Sequence, residues 1–204
     1  MSREFKDNAQ KANDGCQMIP IFNLNDNSNE TINLRGMFEL NRFKGPAIDS
    51  HYFDTPVKDD NLVVTMARKI MSRLLSGASL TPSIATIGGP VVVTNPNQLY
   101  VTRMKWGTAG HNPGNPTEAL TPTVSDEDLA SPIVSPAFKA VVVDYPTDTS
   151  VRFTAELDQT EANGLGLSEE GLFTSVNFMF ARKTFGLLTK TSDFTFQFRH
   201  TILF

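Results

Sequence analysis

The chain has 204 residues, enough for one ordinary domain with an added arm or for two small domains at most. Apolar residues make up 40% and charged residues 20%, which is enough for both a core and a wetted surface. The net charge of −4 provides no basic surface for nucleic acid or anionic lipid, and no apolar run approaches a membrane span. We therefore expect no nucleic acid and no membrane as partners. The first 15 residues lack the apolar stretch of a secretory signal, so we expect synthesis in a cytoplasm.

The first 57 residues are predicted to form an extended N-terminal arm. Residues 1–31 contain many Asn residues, which favour turns and bonds to their own backbone over regular ladders. Such a segment cannot offset its own ordering entropy, so we expect it to become ordered on a neighbouring subunit, with disorder as the alternative. Cys16 is the only cysteine, which excludes an internal disulfide; we expect an unpaired thiol, with an inter-subunit disulfide as the alternative. The candidate anchors of the arm are the apolar patch at 18–24, which includes Ile19, Ile21 and Phe22, and the further apolar residues Leu34, Met37, Phe38, Leu40 and Phe43.

An amphipathic helix is predicted at residues 59–76, at the start of a domain that spans residues 58–204. Its apolar residues recur at spacings of three and four, which places them on one face of a helix. Asp59 and Asp60 stand where the helix dipole favours negative charge, and Gly77 follows the last turn. The apolar face has the pattern of an ordinary core stripe, so we expect it to pack in the core rather than on a membrane surface. The apolar positions are Leu62, Val63, Met66, Ala67, Ile70 and Leu74.

After the helix the apolar period changes from 3.6 to 2, which indicates strands. The last strand has the clearest alternation, with apolar Phe194, Phe196, Phe198, Ile202 and Phe204 on one face. Between the strands we expect a long connection at 107–136 with one capped helical turn at 125–129, and a Gly-rich turn at 162–173. Short strands separated by turn signals predict an antiparallel β-sandwich. The predicted strands are 84–94, 99–106, 137–144, 150–157, 176–182 and 193–204.

The sequence contains no constellation of residues that indicates catalysis. None of the three histidines has a partner at metal-ligand spacing, and no nucleophile elbow or phosphate-binding loop is present. We expect His200 to be a hydrogen-bonded core or interface residue and His111 to be exposed to solvent or a partner. We therefore predict no catalytic residue, no cofactor and no metal. The acidic residues are expected to be solvated or to cap turns; they are Asp54, Asp59, Asp60, Asp126, Glu127, Asp128, Glu169 and Glu170.

Two stretches resemble a known group of proteins. Residues 167–173 (LSEEGLF) and 180–204 (FARKTFGLLTKTSDFTFQFRHTILF) are similar to the closing motif of many virion proteins of tailed bacteriophages. Upstream, residues 105–110 (KWGTAG) and the Pro-rich loop that follows resemble the attachment module at the start of phage tail fibres. The resemblance covers about residues 58–204. No heptads, collagen-like repeats or receptor-binding tip accompany these motifs, so docking within the particle is expected rather than host recognition.

This resemblance implies a structural, non-enzymatic subunit of a virion. Its partners would be other copies of the chain, as a homo-oligomer, and other virion proteins. Capsid decoration, a neck or collar ring, and a tail or baseplate attachment protein all remain open. The candidate assembly interface is formed by Ile19, Ile21, Phe22, Trp106, His111, Leu172 and Phe173.

A different function is also compatible with these residues. The chain would then be a carbohydrate- or receptor-binding β-sandwich module of a phage appendage, with Tyr100, Trp106 and the 107–120 loop as the binding surface, because aromatic faces stack on sugars. An enzyme has the least support.

Overall fold

The computed structural model describes residues 34–46, 52–76 and 83–204 of the chain. This part is mainly β, and its one α-helix, α1, spans Thr65–Ser76. The strands before the long connection, together with the hairpin inside it, are β1 (Arg35–Lys44), β2 (Val57–Val63), β3 (Ile84–Thr86), β4 (Gly89–Val91), β5 (Val101–Gly107), β6 (His111–Asn112) and β7 (Asn115–Ala119). The later strands are β8 (Lys139–Ala140), β9 (Val142–Thr147), β10 (Ser150–Leu157), β11 (Gly166–Thr174), β12 (Met179–Thr189) and β13 (Phe194–Leu203).

Nine of these strands form one antiparallel sheet that is nearly closed into a barrel. Their order is β8-β5-β11-β12-β2-β1-β13-β10-β9. The two end strands, β8 and β9, are separated in sequence only by Val141, whose backbone N–H donates to the carbonyl of Thr102 at 3.2 Å. Because β8 pairs with β5 and β9 pairs with β10, one continuous segment of chain joins the two edges of the sheet.

The inward face of the sheet is built by alternating apolar residues. In β13, Phe196, Phe198 and Ile202 point inward and are buried, while Arg199 and Thr201 between them are partly exposed. The paired strand β10 shows the same alternation, with Phe153 and the residues two and four places on in the core. Period-2 patterning with one wetted face is the pattern expected of half-buried strands. The predicted strands at 150–157 and 193–204 are confirmed to within a residue or two.

The predicted mainly β class with one helix is confirmed, but the strands do not form two packed sheets. A sandwich and a nearly closed barrel share the same alternation along each strand. The two architectures differ in which strands pair at the edges of the sheet. That pairing joins strands that are far apart in the sequence, such as β8 with β5. Here the short strand β8 continues directly into β9, so one sheet curls until its two ends meet.

The arm predicted to reach residue 57 is wrong for residues 35–44. These residues form β1, which lies in the middle of the sheet between β2 and β13. Phe38 and Leu40 of β1 are buried in the core. Residues 1–33, which include Cys16, Ile19, Ile21 and Phe22, lie outside the described residues, as does His51.

The predicted helix begins later than expected. Residues 57–63 form β2, which pairs with β1 and β12, and α1 begins only at Thr65. Asp59 and Asp60 are therefore strand residues that pair with Lys183 and Arg35, not helix-terminal acids. Sheet pairing outweighs a local helical pattern of apolar residues because intrinsic propensities are worth only a fraction of a kcal/mol per residue.

Two turn predictions are also wrong. The Gly-rich turn expected at 162–173 ends early, because β11 begins at Gly166. No helical turn forms at 125–129. Instead the carboxylate of Asp126 accepts hydrogen bonds from the backbone N–H and the hydroxyl of Thr123 at 2.9 and 2.6 Å. The predicted strand at 84–94 is the short hairpin of β3 and β4, which lies outside the nine-stranded sheet.

We predict that Phe196→Ala lowers the free energy of unfolding by about 3–5 kcal/mol, because the ring is buried and its removal leaves a cavity. The exposed fraction of Phe196 is 2%, whereas that of Phe204 at the end of the same segment is 60%. Phe204→Ala is the matched control and should cost below about 1 kcal/mol. Urea unfolding of both variants measures the difference, and equal costs would contradict the assignment of this face to the core.

Candidate functional site

Strand β11 is buried on both of its faces. Its inner face belongs to the core of the barrel, and its outer face is covered by the connection at 107–136. Two glycines allow this connection to lie close. A Cβ on Gly107 would stand 2.4 Å from a carboxylate oxygen of Glu169, and one on Gly110 would stand 2.1 Å from the carbonyl of Ser168. The absence of a side chain at these two positions allows the connection to pack closely against β11.

The outer face of β11 carries a fully buried carboxylate, that of Glu169. It accepts hydrogen bonds from the backbone N–H groups of Ser131 at 2.8 Å, Ala130 at 3.0 Å and Ala109 at 3.4 Å. It also accepts one from the guanidinium of Arg182 on β12 at 2.5 Å. Four donors compensate one buried charge, and three of them come from the connection. Glu169 therefore fastens the connection to the sheet at both of its ends.

Arg182 links this carboxylate to a second one. Its guanidinium also donates to Asp126 at 2.5 Å, so the cation lies between two acids. Burial alone would raise the pKa of Asp126, but hydrogen bonds from Thr123 and the pairing with Arg182 outweigh it and hold that pKa below its usual value. Burial likewise opposes the charge on Arg182, but Asp126 and Glu169 outweigh it and raise the pKa of the guanidinium.

A second group of polar side chains lies inside the barrel. His200 contacts Glu170 through Nε2 and Asn61 through Nδ1, and both His200 and Glu170 are fully buried. The ring of His200 meets Phe38 edge-on at 5.7 Å between centroids. The prediction of a hydrogen-bonded core histidine is therefore confirmed.

The prediction that Glu169 and Glu170 are solvated or cap a turn is wrong, because both are fully buried. In the sequence, the acidic pair and the neighbouring glycines predict a turn. Since one glutamate faces the connection and the other faces the barrel interior, each has its own partners. The sequence signal for burial is the partner that each glutamate needs, which is Arg182 for Glu169 and His200 for Glu170. These partners are distant in sequence.

The buried pairs are enclosed within the single chain. Glu170 and His200 resemble an acid–base pair, but both have no exposed surface and their third neighbour, Asn61, is not a nucleophile. Sequence reasoning missed a Ser–His contact, in which Nδ1 of His111 lies 3.0 Å from Oγ of Ser168. Ser168 is fully buried and its Oγ accepts a hydrogen bond from the backbone of Gly110 at 2.9 Å, so a substrate cannot reach it.

The described residues also contain no group of three or more His, Cys, Asp or Glu side chains placed to hold a metal ion. In the same part of the chain, no helix combines the length and apolar character needed to cross a membrane.

Three predicted interface residues are not on the surface. Trp106, Leu172 and Phe173 are fully buried in the chain's own core, so they are not available to a partner. Burial of Trp106 also removes this ring from the alternative sugar-binding surface, whereas Tyr100 is exposed and lines a groove. Of the described candidates only His111 is partly exposed. Strand β11, which replaces most of the predicted Gly-rich turn, holds two of the three buried residues.

A groove of about 530 Å³ with an exposed apolar lining lies elsewhere. It is bounded by the second half of α1, the start of β5, the outer strands β9 and β10, and the last residue of the chain. No charged side chain lines it. The lining residues are Ile70, Met71, Leu74, Leu75, Leu99, Tyr100, Val101, Thr102, Val143, Tyr145, Val151, Phe153, Phe180 and Phe204.

Strand β9 forms one wall of this groove and has unusual exposure. All six of its residues are exposed, including Val142, Val143 and Tyr145. It is the last strand in the sheet order and pairs only with β10 within the described part of the chain. An exposed edge strand with apolar side chains on both faces is a surface that natural proteins usually cover.

Comparisons of the chain with protein-family models, with curated proteins and with solved structures found no match.

We predict that Arg182→Met lowers the free energy of unfolding by about 3–5 kcal/mol, because it leaves the buried carboxylate of Glu169 without its cation. Lys183→Met is the matched control on the neighbouring residue. Lys183 pairs with Asp59, whose side chain is largely exposed, so its loss should cost about 1 kcal/mol or less. Denaturant unfolding measures both. Similar costs would mean that the buried charges do not hold the connection.

The lowered pKa of Asp126 predicts a pH dependence. A carboxyl whose pKa is lower in the folded protein stabilises the fold above its unfolded value, which is 3.8, and this contribution is lost as the pH falls through the folded pKa. Asp126→Asn lacks the contribution. The difference in unfolding free energy between wild type and Asp126→Asn should therefore be largest near neutral pH and shrink below about pH 4. A difference that stays constant down to about pH 2 would contradict the charged pairing with Arg182.

Proposed function

We propose that this chain is a structural subunit of a tailed-phage particle that acts by symmetric protein–protein assembly. Capsid decoration, a neck or collar ring, and a tail or baseplate attachment protein are the candidate positions. In each of them the chain would contact other copies of itself and other virion proteins. The chain would be made in the cytoplasm of the host bacterium and function in the virion.

The apolar groove beside β9 is the observation that carries this proposal. Contiguous apolar surface of this kind marks interaction sites on soluble proteins. Covering it contributes roughly 25 cal/mol per Å² before ordering costs are subtracted. Leu75 and Tyr145, which line the groove, are both strongly exposed in the single chain. A partner that covers them removes this unfavourable exposure.

The buried charged groups support the same function. Glu169, Arg182 and Asp126 hold the connection against the barrel, while Glu170 and His200 are enclosed inside it. The acidic and imidazole side chains that could take part in chemistry thus hold the shape of the molecule. A rigid shape with an exposed apolar groove fits a subunit that repeats in an assembly.

The motifs that resemble phage virion proteins also have a structural meaning. Residues 170–173 lie in β11 and residues 181–185 lie in β12, and these two strands pair directly, with Gly171 opposite Arg182 and Leu172 opposite Ala181. The resemblance therefore rests on residues that build the barrel. It supports a shared fold unit, while the groove is formed by other segments.

Light scattering coupled to size exclusion, with electron microscopy of the same sample, tests the proposal. We expect the purified chain to form a defined oligomer or closed rings. Leu75→Asp should dissociate it, because a charge in the groove disfavours burial. Ile87→Asp is the matched control, because Ile87 is 83% exposed and Leu75 80% exposed, but Ile87 lies outside the groove. Monomers at every concentration, together with binding on a glycan array, would contradict the proposal.

A further inference from the structure

We infer that the groove receives the apolar segment Met18–Phe22 of a neighbouring copy of this chain. This inference rests on the proposed function and names the partner of that surface. The groove lies entirely on described residues, and the segment lies in the preceding part of the same chain. Each copy would then contribute one groove and one segment, which is the arrangement that builds rings or chains of subunits.

The chemistry of the two surfaces is matched. The groove is lined by aliphatic and aromatic side chains and by Thr102, with no charged residue. Residues 15–25 (GCQMIPIFNLN) form an uncharged stretch of the N-terminal region, bounded by Asp14 and Asp26. A groove without charge disfavours a charged segment, because burial of an unpaired charge is costly. It favours a short apolar segment such as Met18–Phe22.

The position of the first described strand makes this contact reachable. Arg35 at the start of β1 pairs with Leu203, and the next residue, Phe204, lines the groove. The chain before β1 therefore leaves the sheet at the same end as the groove. Residues 23–33 form a connecting segment that can span at most roughly 40 Å when fully extended. That length is the reach available to the segment from the groove end of the sheet.

The groove is better suited to side chains than to an added strand. Pro146 in β9 has no N–H to donate, and the pairing of β9 with β10 is irregular between Ser150 and Arg152. Both features oppose continuation of the sheet by another chain. The exposed rings of Tyr100, Tyr145 and Phe204 instead leave space between them for apolar side chains.

The test uses two variants of the full chain that remove opposite halves of the contact. Ile21→Asp places a charge in the segment, and Val143→Asp places one in the groove. Val142→Asp is the matched control for the second variant, because Val142 is the adjacent exposed residue of β9 and does not line the groove. Each protein is first checked for cooperative thermal unfolding, and its mass is then measured by analytical ultracentrifugation over a range of concentrations.

We expect Ile21→Asp and Val143→Asp each to be monomeric where wild type and Val142→Asp assemble. An equal mixture of the two variants should form species of two chains, because the intact segment of one fits the intact groove of the other. These species should not grow further, because no second intact pair remains.

Three results would overturn the inference. If both variants assemble like wild type, the occupant is another surface or another protein, while the proposed assembly function stands. If both variants are monomeric but their mixture stays monomeric, the segment does not act between copies in this groove. If wild type itself is monomeric at every concentration, the inference and the proposed self-assembly fail together.

Discussion

The carboxylate of Glu169 is the constraint on which the outer layer of this molecule depends. A buried charge is tolerated only when donors surround it, and here the donors are three backbone N–H groups of the connection and the guanidinium of Arg182. The connection is rich in Pro and Gly. Backbone bonds form its β6–β7 hairpin and join its two ends at Thr108 and Ser131, and Glu169 fastens both ends to the strand that they cover. Arg182 extends the constraint to Asp126, so that one charged chain runs from β11 through β12 to the middle of the connection.

A division of the surface follows from this arrangement. The connection covers the outer faces of β11 and β12. The charged side chains there, Glu169 and Arg182, are paired and enclosed. At the far end of the sheet order, β9 carries no such cover within the described residues, and two of its side chains, Val143 and Tyr145, line the groove with α1 and the start of β5. One region of the barrel is thus closed by the chain itself, and the other is the surface that we propose a partner covers. This contrast underlies the proposal of an assembly subunit.

The sequence predicted strands well where one face is wet and poorly where both faces are covered. β10 and β13 alternate apolar and polar residues because one side of each contacts the core, while the other side carries polar residues of which several, such as Arg199 and Thr201, are partly exposed. β11 was predicted to be a turn because its Glu and Gly residues have no alternation. On one face of β11, Glu169 accepts hydrogen bonds from the connection and from Arg182. On the other face, Glu170 contacts His200. The groove could not be predicted, because α1, β5, β9, β10 and Phe204 are brought together only by closure of the sheet.

Hydrogen exchange tests the central claim, that the groove beside β9 is the surface through which the chain assembles. Exchange of the full chain would be compared at a concentration where it is assembled and at one where it is dissociated. The account predicts that assembly slows exchange in Val142–Thr147 and in the second half of α1, because a partner then covers the groove. The amides of Ala130 and Ser131 should be protected in both states, because they donate to Glu169 within one chain. Protection gained on assembly only elsewhere on the barrel, with none in Val142–Thr147, would contradict the account.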